Sequence, residues 1–227
     1  MFNEDIVRSE SKFINKTLMY MALGLIISFG VSYMVATSES AIMFLYSNSK
    51  VPMVLFILEL IMVFSLSRFL NKMSVGTAML MFVLYSVVNG LTLSCIFLIY
   101  QLSSVISVFL VAAAMYFCCS MIGITTGKDL STLGRIAIMA LFGVIVVSLL
   151  NYFFPFGQTA IILDYISVVI FCALTAYDMQ KVKNFHKEAY RFDGDTVNKF
   201  AIVSALSLYL DFINLFISLL SIFGKER

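Results

Sequence analysis

The last hydrophobic stretch of the chain, residues 200–223, is apolar on most of its surface but has one narrow polar stripe. An α-helix needs about 20 residues to cross a bilayer, and this stretch is longer. Its polar residues recur at alternating steps of three and four positions, the spacing of one helix face: Ser204, Ser207, Asp211, Asn214, Ser218 and Ser221. Lipid chains offer no hydrogen-bond partners to such a stripe. The pattern therefore predicts a membrane helix whose polar face meets other helices or water.

Hydrophobic runs of similar length fill most of the preceding chain. They cover residues 17–36, 51–70, 77–100, 105–125, 136–154 and 160–178, and short polar segments separate them. Runs this long and uninterrupted favour helices over the alternating strands of a membrane barrel. We therefore predict an all-α polytopic membrane protein. It forms a bundle of seven transmembrane helices within one integral membrane domain, residues 1–227.

Composition and charge support the same fold class. Of the 227 residues, 61% are hydrophobic and 12% are charged, whereas soluble domains are about 45–50% apolar and about 25% charged. The net charge of +2 gives no indication of a nucleic-acid partner. All four cysteines lie inside hydrophobic stretches, where we interpret them as small packing residues rather than a disulfide or zinc framework.

Lysine and arginine predict the orientation, because cytosolic loops are rich in both. The N-terminal tail and the connections after spans two, four and six are basic, whereas those after spans three and five have neither residue. We expect a cytosolic N-terminus and seven crossings. Lys225 and Arg227 disagree with an external C-terminus. The alternative is a re-entrant seventh segment with both termini in the cytosol.

Two aspartates stand out within the apolar runs. Asp211 lies near the middle of the last span, where a charged side chain costs about 2.5–3.5 kcal/mol on insertion scales. Asp178 ends the sixth span, and consecutive antiparallel helices can bring the two carboxyl groups together. Such a pair cannot ionise twice at low cost, so it holds a shared proton or a hard divalent cation such as Ca²⁺. The alternative for Asp178 is an interfacial residue paired with Lys181.

Four other polar residues complete the candidate site. Arg68, at the predicted cytosolic end of span two, is the natural counter-charge for the aspartates. Its alternative role is to reach the lipid headgroups. Glu59, in the middle of the same span, is either an acidic group along an ion pathway or a protonated, hydrogen-bonded side chain. Ser207 and Asn214, on the polar stripe, are further candidates for such a pathway.

Three segments resemble the Bax inhibitor-1 (TMBIM) family in its bacterial branch: TAYDMQKVK, LSLYLDFINLF and TAMLMFVLYSVVNGLTLSCIFLIY. The resemblance implies a seven-helix bundle with the last helix at its centre. It also implies a pH-sensitive Ca²⁺ leak gated by the Asp178–Asp211 pair, with Arg68 as a latch. The implied partners are Ca²⁺, H⁺ and the bilayer of a bacterial plasma membrane, with no cofactor and no enzymatic activity.

The same residues are compatible with other functions. Intramembrane aspartyl proteases also place two aspartates on consecutive helices, and Tyr177-Asp178 fits their first motif. Their second motif is Gly-x-Gly-Asp, but Tyr209 and Leu210 precede Asp211 here, and no Pro-Ala-Leu segment follows. A non-conducting regulator that binds membrane-protein partners is another possibility, and a proton-coupled transporter is a fourth.

Overall fold

The computed structural model describes residues 2–47, 50–153, 159–188 and 192–227, which are almost entirely helical. Its α-helices are α1 (Phe2–Ala36), α2 (Glu39–Tyr46), α3 (Lys50–Arg68), α4 (Val75–Leu93), α5 (Ile96–Ile99), α6 (Leu102–Thr125), α7 (Ser131–Phe153), α8 (Thr159–Glu188) and α9 (Gly194–Phe223). A short 3-10 turn, Leu70–Lys72, separates α3 from α4. The all-helical fold class is confirmed.

Seven of the described segments are long and apolar enough to cross a bilayer: Ser11–Ala36, Lys50–Arg68, Val75–Ile99, Leu102–Thr125, Ser131–Asn151, Ala160–Phe185 and Gly194–Phe223. The third consists of α4 and α5, with a break at Ser94 and Cys95. The Ser94 hydroxyl donates to the Leu91 carbonyl at 2.6 Å there, which competes with regular helix bonding. The prediction of seven membrane-spanning helices is confirmed.

Burial differs widely between the spans. In the last span 61% of the most apolar stretch is buried, against 6% in Lys50–Arg68, and the last span is the most buried of the seven. This agrees with a central last helix. The other spans expose large apolar side chains, for example Phe64, Phe117 and Val169. Such surfaces suit a protein whose solvent is lipid.

Contacts divide the chain into two compact units. The first comprises Met1–Tyr100, His186–Tyr209 and Arg227, and the second comprises Gln101–Phe185 and Leu210–Glu226. Helix α9 therefore supplies its first half to one unit and its second half to the other. That the whole chain forms a single integral membrane domain stays a prediction.

In the first unit, α1 packs directly on α4. A methyl group on Gly90 would come within 2.7 Å of the Ser28 carbonyl oxygen, so only glycine permits this approach of the two backbones. The Ser28 hydroxyl also donates to the Ser86 carbonyl at 2.7 Å. The small residues of these helices therefore serve close packing.

In the second unit, α8 continues beyond the hydrophobic run that predicted it and ends at Glu188. The extension binds the connection between α6 and α7. Gln180 donates to the Lys128 carbonyl and accepts from the Leu130 N–H, both at 2.8 Å. Lys183 donates to the Ile124 carbonyl at 2.5 Å. These bonds hold the segment of α8 that contains Asp178.

Candidate functional site

Asp211 is buried in the second unit. Its side chain lies on α9, and the residue is 5% exposed. Among the residues that the structure describes, its Oδ2 atom has no hydrogen-bond partner. A buried carboxyl oxygen without a partner costs about 1–3 kcal/mol or more. Such an atom in a native fold calls for a partner, which can be a proton, an ordered water or an ion.

Asp178, on α8 in the same unit, is the carboxylate near Asp211. The two groups are within electrostatic range of each other, and Lys181 is the cation within range of Asp211. Lys181 Nζ lies 3.3 Å from Asp178 Oδ1. Asp178 is buried, whereas the Lys181 side chain is 59% exposed. The Asp178–Lys181 pair therefore exists, but it occupies a buried carboxylate rather than one at an open helix end.

An aromatic side chain stands beside both carboxyl groups. Tyr116, on α6, is 7% exposed and lies within electrostatic range of Asp211 and Asp178. Its ring packs edge-on against Phe212, with 5.5 Å between the ring centroids. Sequence reasoning missed Tyr116 because an aromatic residue in an apolar span gives no polar signal. In the second unit, Asp178, Asp211 and Tyr116 therefore form one buried polar group.

Arg68 belongs to the first unit. It is the last residue of α3 and its side chain is exposed. A position at the end of a membrane span suits both an ion-pairing latch and a group that reaches the headgroups. The pairing of Arg68 with either aspartate stays a prediction.

The predicted pathway residues differ in their surroundings. In the first unit, Glu59 accepts a hydrogen bond from the Thr92 hydroxyl at 2.7 Å. Ser207, also in the first unit, is half-buried. In the second unit, Asn214 donates to the Leu210 carbonyl of its own helix at 2.8 Å. The structure does not bring these three together as one cluster within a unit.

The aspartate pair offers a metal ion two carboxylate groups. Among the described residues, no three His, Cys, Asp or Glu side chains are grouped as a metal site. A resident Ca²⁺ ion usually takes 6–8 oxygen ligands. Further oxygen ligands for such an ion would have to come from backbone carbonyls, amide side chains or water.

Comparison with known proteins decides the family. Residues 10–227 match the family described as inhibitor of apoptosis-promoting Bax1. The chain belongs to the Bax inhibitor-1 family. The resemblance noted in the sequence is thereby confirmed.

Bacterial relatives of this Bax inhibitor-1 family protein match it along most of their length. The inner membrane protein YbhL of Escherichia coli K12 is 40% identical over 208 residues, 92% of this chain and 89% of the relative. An uncharacterised protein of Borreliella burgdorferi is 38% identical over 96% of this chain and 94% of its own. An uncharacterised membrane protein of Streptococcus pyogenes serotype M1 is 37% identical over 99% of both chains. This family member is a multi-pass protein of the bacterial inner membrane.

A second polar cluster of this Bax inhibitor-1 family protein lies in the first unit and is centred on Tyr209. The Tyr209 hydroxyl donates to Asn89 Oδ1 at 2.7 Å and lies 2.6 Å from the Ser28 hydroxyl. Tyr209 is fully buried. The Gly-x-Gly-Asp motif of an intramembrane aspartyl protease would place glycines one and three positions before the aspartate, where this chain has Leu210 and Leu208. The names of the family and of its relatives indicate a membrane protein and no known enzyme class.

Proposed function

We propose that this protein is a pH-sensitive Ca²⁺ leak of the bacterial inner membrane. Asp178 and Asp211 hold either a proton or the passing ion, and Arg68 latches the closed state by ion pairing with one of them. Glu59, Ser207 and Asn214 are polar positions along the route of the ion.

The observation that carries the proposal is the buried carboxyl pair of the second unit. Asp211 is 5% exposed, its Oδ2 atom has no hydrogen-bond partner among the described residues, and Asp178 lies within electrostatic range. Two such groups share a proton at low pH and attract a divalent cation once both are ionised. Protons and Ca²⁺ would therefore compete for one site, which makes a Ca²⁺ flux through it depend on pH.

The experiment is Ca²⁺ flux into liposomes that contain the purified protein, measured at acidic and at alkaline pH. Asp178→Asn and Asp211→Asn should each diminish the difference between the two pH values, because the amide does not titrate and the remaining carboxyl has no partner with which to share a proton. Arg68→Ala should raise the flux through the resting protein. Asp164→Asn is the matched control: this carboxylate also lies on α8, where the Ser221 hydroxyl donates to it at 2.6 Å, and its loss should leave the pH response intact.

Three outcomes would favour other functions. Unchanged pH response in both Asn variants at positions 178 and 211 would exclude the aspartate pair as the gate. Cleavage of a transmembrane peptide that disappears in either variant would indicate a protease. Absence of any ion flux, together with a normal survival phenotype in cells, would favour a regulator that acts through membrane-protein partners.

The regulator is the second candidate because of the family description. The matched family is described as an inhibitor of apoptosis-promoting Bax1, which is an activity on another protein. Exposed apolar side chains cover several spans and could meet a partner helix as well as lipid. Cross-linking in native membranes tests this candidate, since a regulator would give the same heteromeric product in the wild type and in both Asn variants.

A further inference from the structure

Two cysteines of the second unit lie side by side on different helices. The thiols of Cys119 on α6 and Cys172 on α8 are within hydrogen-bond reach of each other. Both are free thiols and half-buried, whereas the neighbouring Cys118 is exposed. Two thiols are too few for a structural zinc site. Their proximity is instead the arrangement that precedes a disulfide.

Backbone contacts one turn further along show that the two helices are close enough for a bridge. A methyl group on Gly123 would overlap the backbone carbonyl of Ala176. Gly123 follows Cys119 by four positions and Ala176 follows Cys172 by four positions, so α6 and α8 run parallel here with a constant register. A disulfide needs Cα atoms within about 7 Å. The backbone contact of Gly123 with Ala176, one turn away, supports such a spacing between Cys119 and Cys172.

We propose that Cys119 and Cys172 form a reversible disulfide, an oxidation site that cross-links α6 to α8. The oxidant is a peroxide, which as a small uncharged molecule enters the bilayer. One thiol attacks a peroxide oxygen, so that an S–O bond forms, the O–O bond breaks and the first water leaves. The second sulfur attacks the sulfenic sulfur, the S–S bond forms and the second water leaves. Two thiols are oxidised by two electrons and the peroxide is reduced to two waters.

The cross-link would act beside the buried carboxyl pair. Tyr116, which lies within electrostatic range of Asp178 and Asp211, is on α6 less than one turn before Cys119. Asp178 is on α8 less than two turns after Cys172. A bond between the two helices would therefore fix their relative position at this group. The disulfide itself does not rest on ion conduction and stands if the protein conducts nothing.

The test is mass spectrometry of the full-length protein in membrane vesicles that have been treated with hydrogen peroxide and then alkylated. The wild type should lose two alkylatable thiols and two hydrogen masses, and digestion should give a linked peptide that contains Cys119 and Cys172. A small dithiol should restore both thiols. Cys118→Ser, the matched control, should form the same link, whereas Cys119→Ser and Cys172→Ser should not.

Two results would overturn the proposal. One is a wild-type protein in which peroxide converts these cysteines to sulfinic acids with no linked peptide. The other is a link that uses Cys118 or joins two copies of the chain. Both are read from the wild type and the Cys118→Ser variant, so they do not depend on whether the other two variants fold.

Discussion

Tyr209 makes several buried polar contacts in the first unit, although it lies in an apolar stretch of the sequence. Its hydroxyl bonds Asn89 and lies beside Ser28. Its ring meets Phe82 and Tyr85 edge-on, with centroid separations of 6.1 and 5.8 Å. This geometry suits the aromatic quadrupole. Both ends of the side chain are therefore specified, the ring by packing and the hydroxyl by hydrogen bonds.

Removal of this hydroxyl should destabilise the protein. Tyr209→Phe leaves Asn89 Oδ1 without its donor in a buried site, which costs about 1–3 kcal/mol. The control is Tyr165→Phe, because Tyr165 is 54% exposed and its loss of a hydroxyl should change little. Thermal unfolding in detergent, followed by circular dichroism, measures both. Equal melting temperatures for the two variants would show that the Tyr209 hydroxyl contributes no stability.

The residues that the sequence could and could not reveal differ in one physical respect. Asp211 and Asn214 carry polar side chains within an apolar run. Their helical spacing alone therefore predicted that they share one inward-facing side of the helix. Tyr209 and Tyr116 count as apolar in such a pattern although each presents a hydroxyl. The hydroxyl of Tyr209 has its partners on other helices, Asn89 on α4 and Ser28 on α1, and a single sequence does not say which helices meet.

At the scale of the element, the contact of α6 with α8 depends on Gly123. A side-chain methyl at this position would overlap a backbone carbonyl, which cannot rotate out of the way. We expect Gly123→Ala to destabilise the protein by about 1–3 kcal/mol, the usual cost of overpacking. Thermal unfolding in detergent measures the change.

Gly143, on α7, provides the matched control. A methyl there would meet nothing within 4 Å, so Gly143→Ala should be neutral or should stabilise by up to about 1 kcal/mol through helix propensity. If both alanine variants behaved alike, glycine flexibility rather than the approach of α6 to α8 would explain the position of Gly123.

Asp129 caps the N-terminus of α7 and predicts a pH dependence. It accepts from the Ser131 hydroxyl at 2.6 Å and from the Ser131 N–H at 2.9 Å. These hydrogen bonds hold the pKa of Asp129 below its ordinary value of 3.8. Because the folded pKa is the lower one, the stabilisation is present above the unfolded pKa and is lost as the pH falls through the folded pKa.

Asp129→Ala should therefore lower the melting temperature by a few degrees near neutral pH, and the difference from wild type should shrink as the pH falls below about 4. Asp129→Asn keeps an acceptor oxygen without a titrating group, so it should retain part of the cap at every pH. A deficit in Asp129→Ala that is the same at neutral and acidic pH would argue against a charged cap. Thermal unfolding at several pH values separates these results.

The length of α8 shows what local patterns leave out at this scale. The hydrophobic run ends at Asp178, and the polar segment that follows permits a longer helix but does not show where the helix ends. The helix continues to Glu188 because its polar turns have partners: Gln180 bonds the connection between α6 and α7, and Lys183 bonds the last turn of α6. Asp178 therefore lies within a continuing helix and is buried, whereas the alternative interpretation placed it at an interfacial helix end.

At the scale of the whole molecule, the two ends of α9 lie next to different connections. Near its start, Asn198 accepts from Lys16 of α1 at 2.6 Å. After its end, the Arg227 N–H donates to the Ile99 carbonyl at 2.9 Å, and the Lys225 N–H donates to the Ser104 hydroxyl at 2.9 Å. Helix α9 has 30 residues and is therefore about 45 Å long. The hydrocarbon core of a bilayer is about 30 Å thick, so α9 is long enough to cross it.

These contacts favour a seventh helix that crosses the membrane over one that re-enters. The start of α9 is beside Lys16, which precedes the first hydrophobic run and belongs to the basic segment predicted to be cytosolic. The C-terminus is beside the connection between α5 and α6, and there is neither lysine nor arginine between Tyr100 and Val105. A reporter that is active only outside the cytosol should therefore work when fused after Arg227. A fluorescent protein that folds only in the cytosol should work at the N-terminus and fail at the C-terminus. Cytosolic signals from both ends would instead support the re-entrant segment, and would require Lys225 and Arg227 to act as ordinary positive-inside residues.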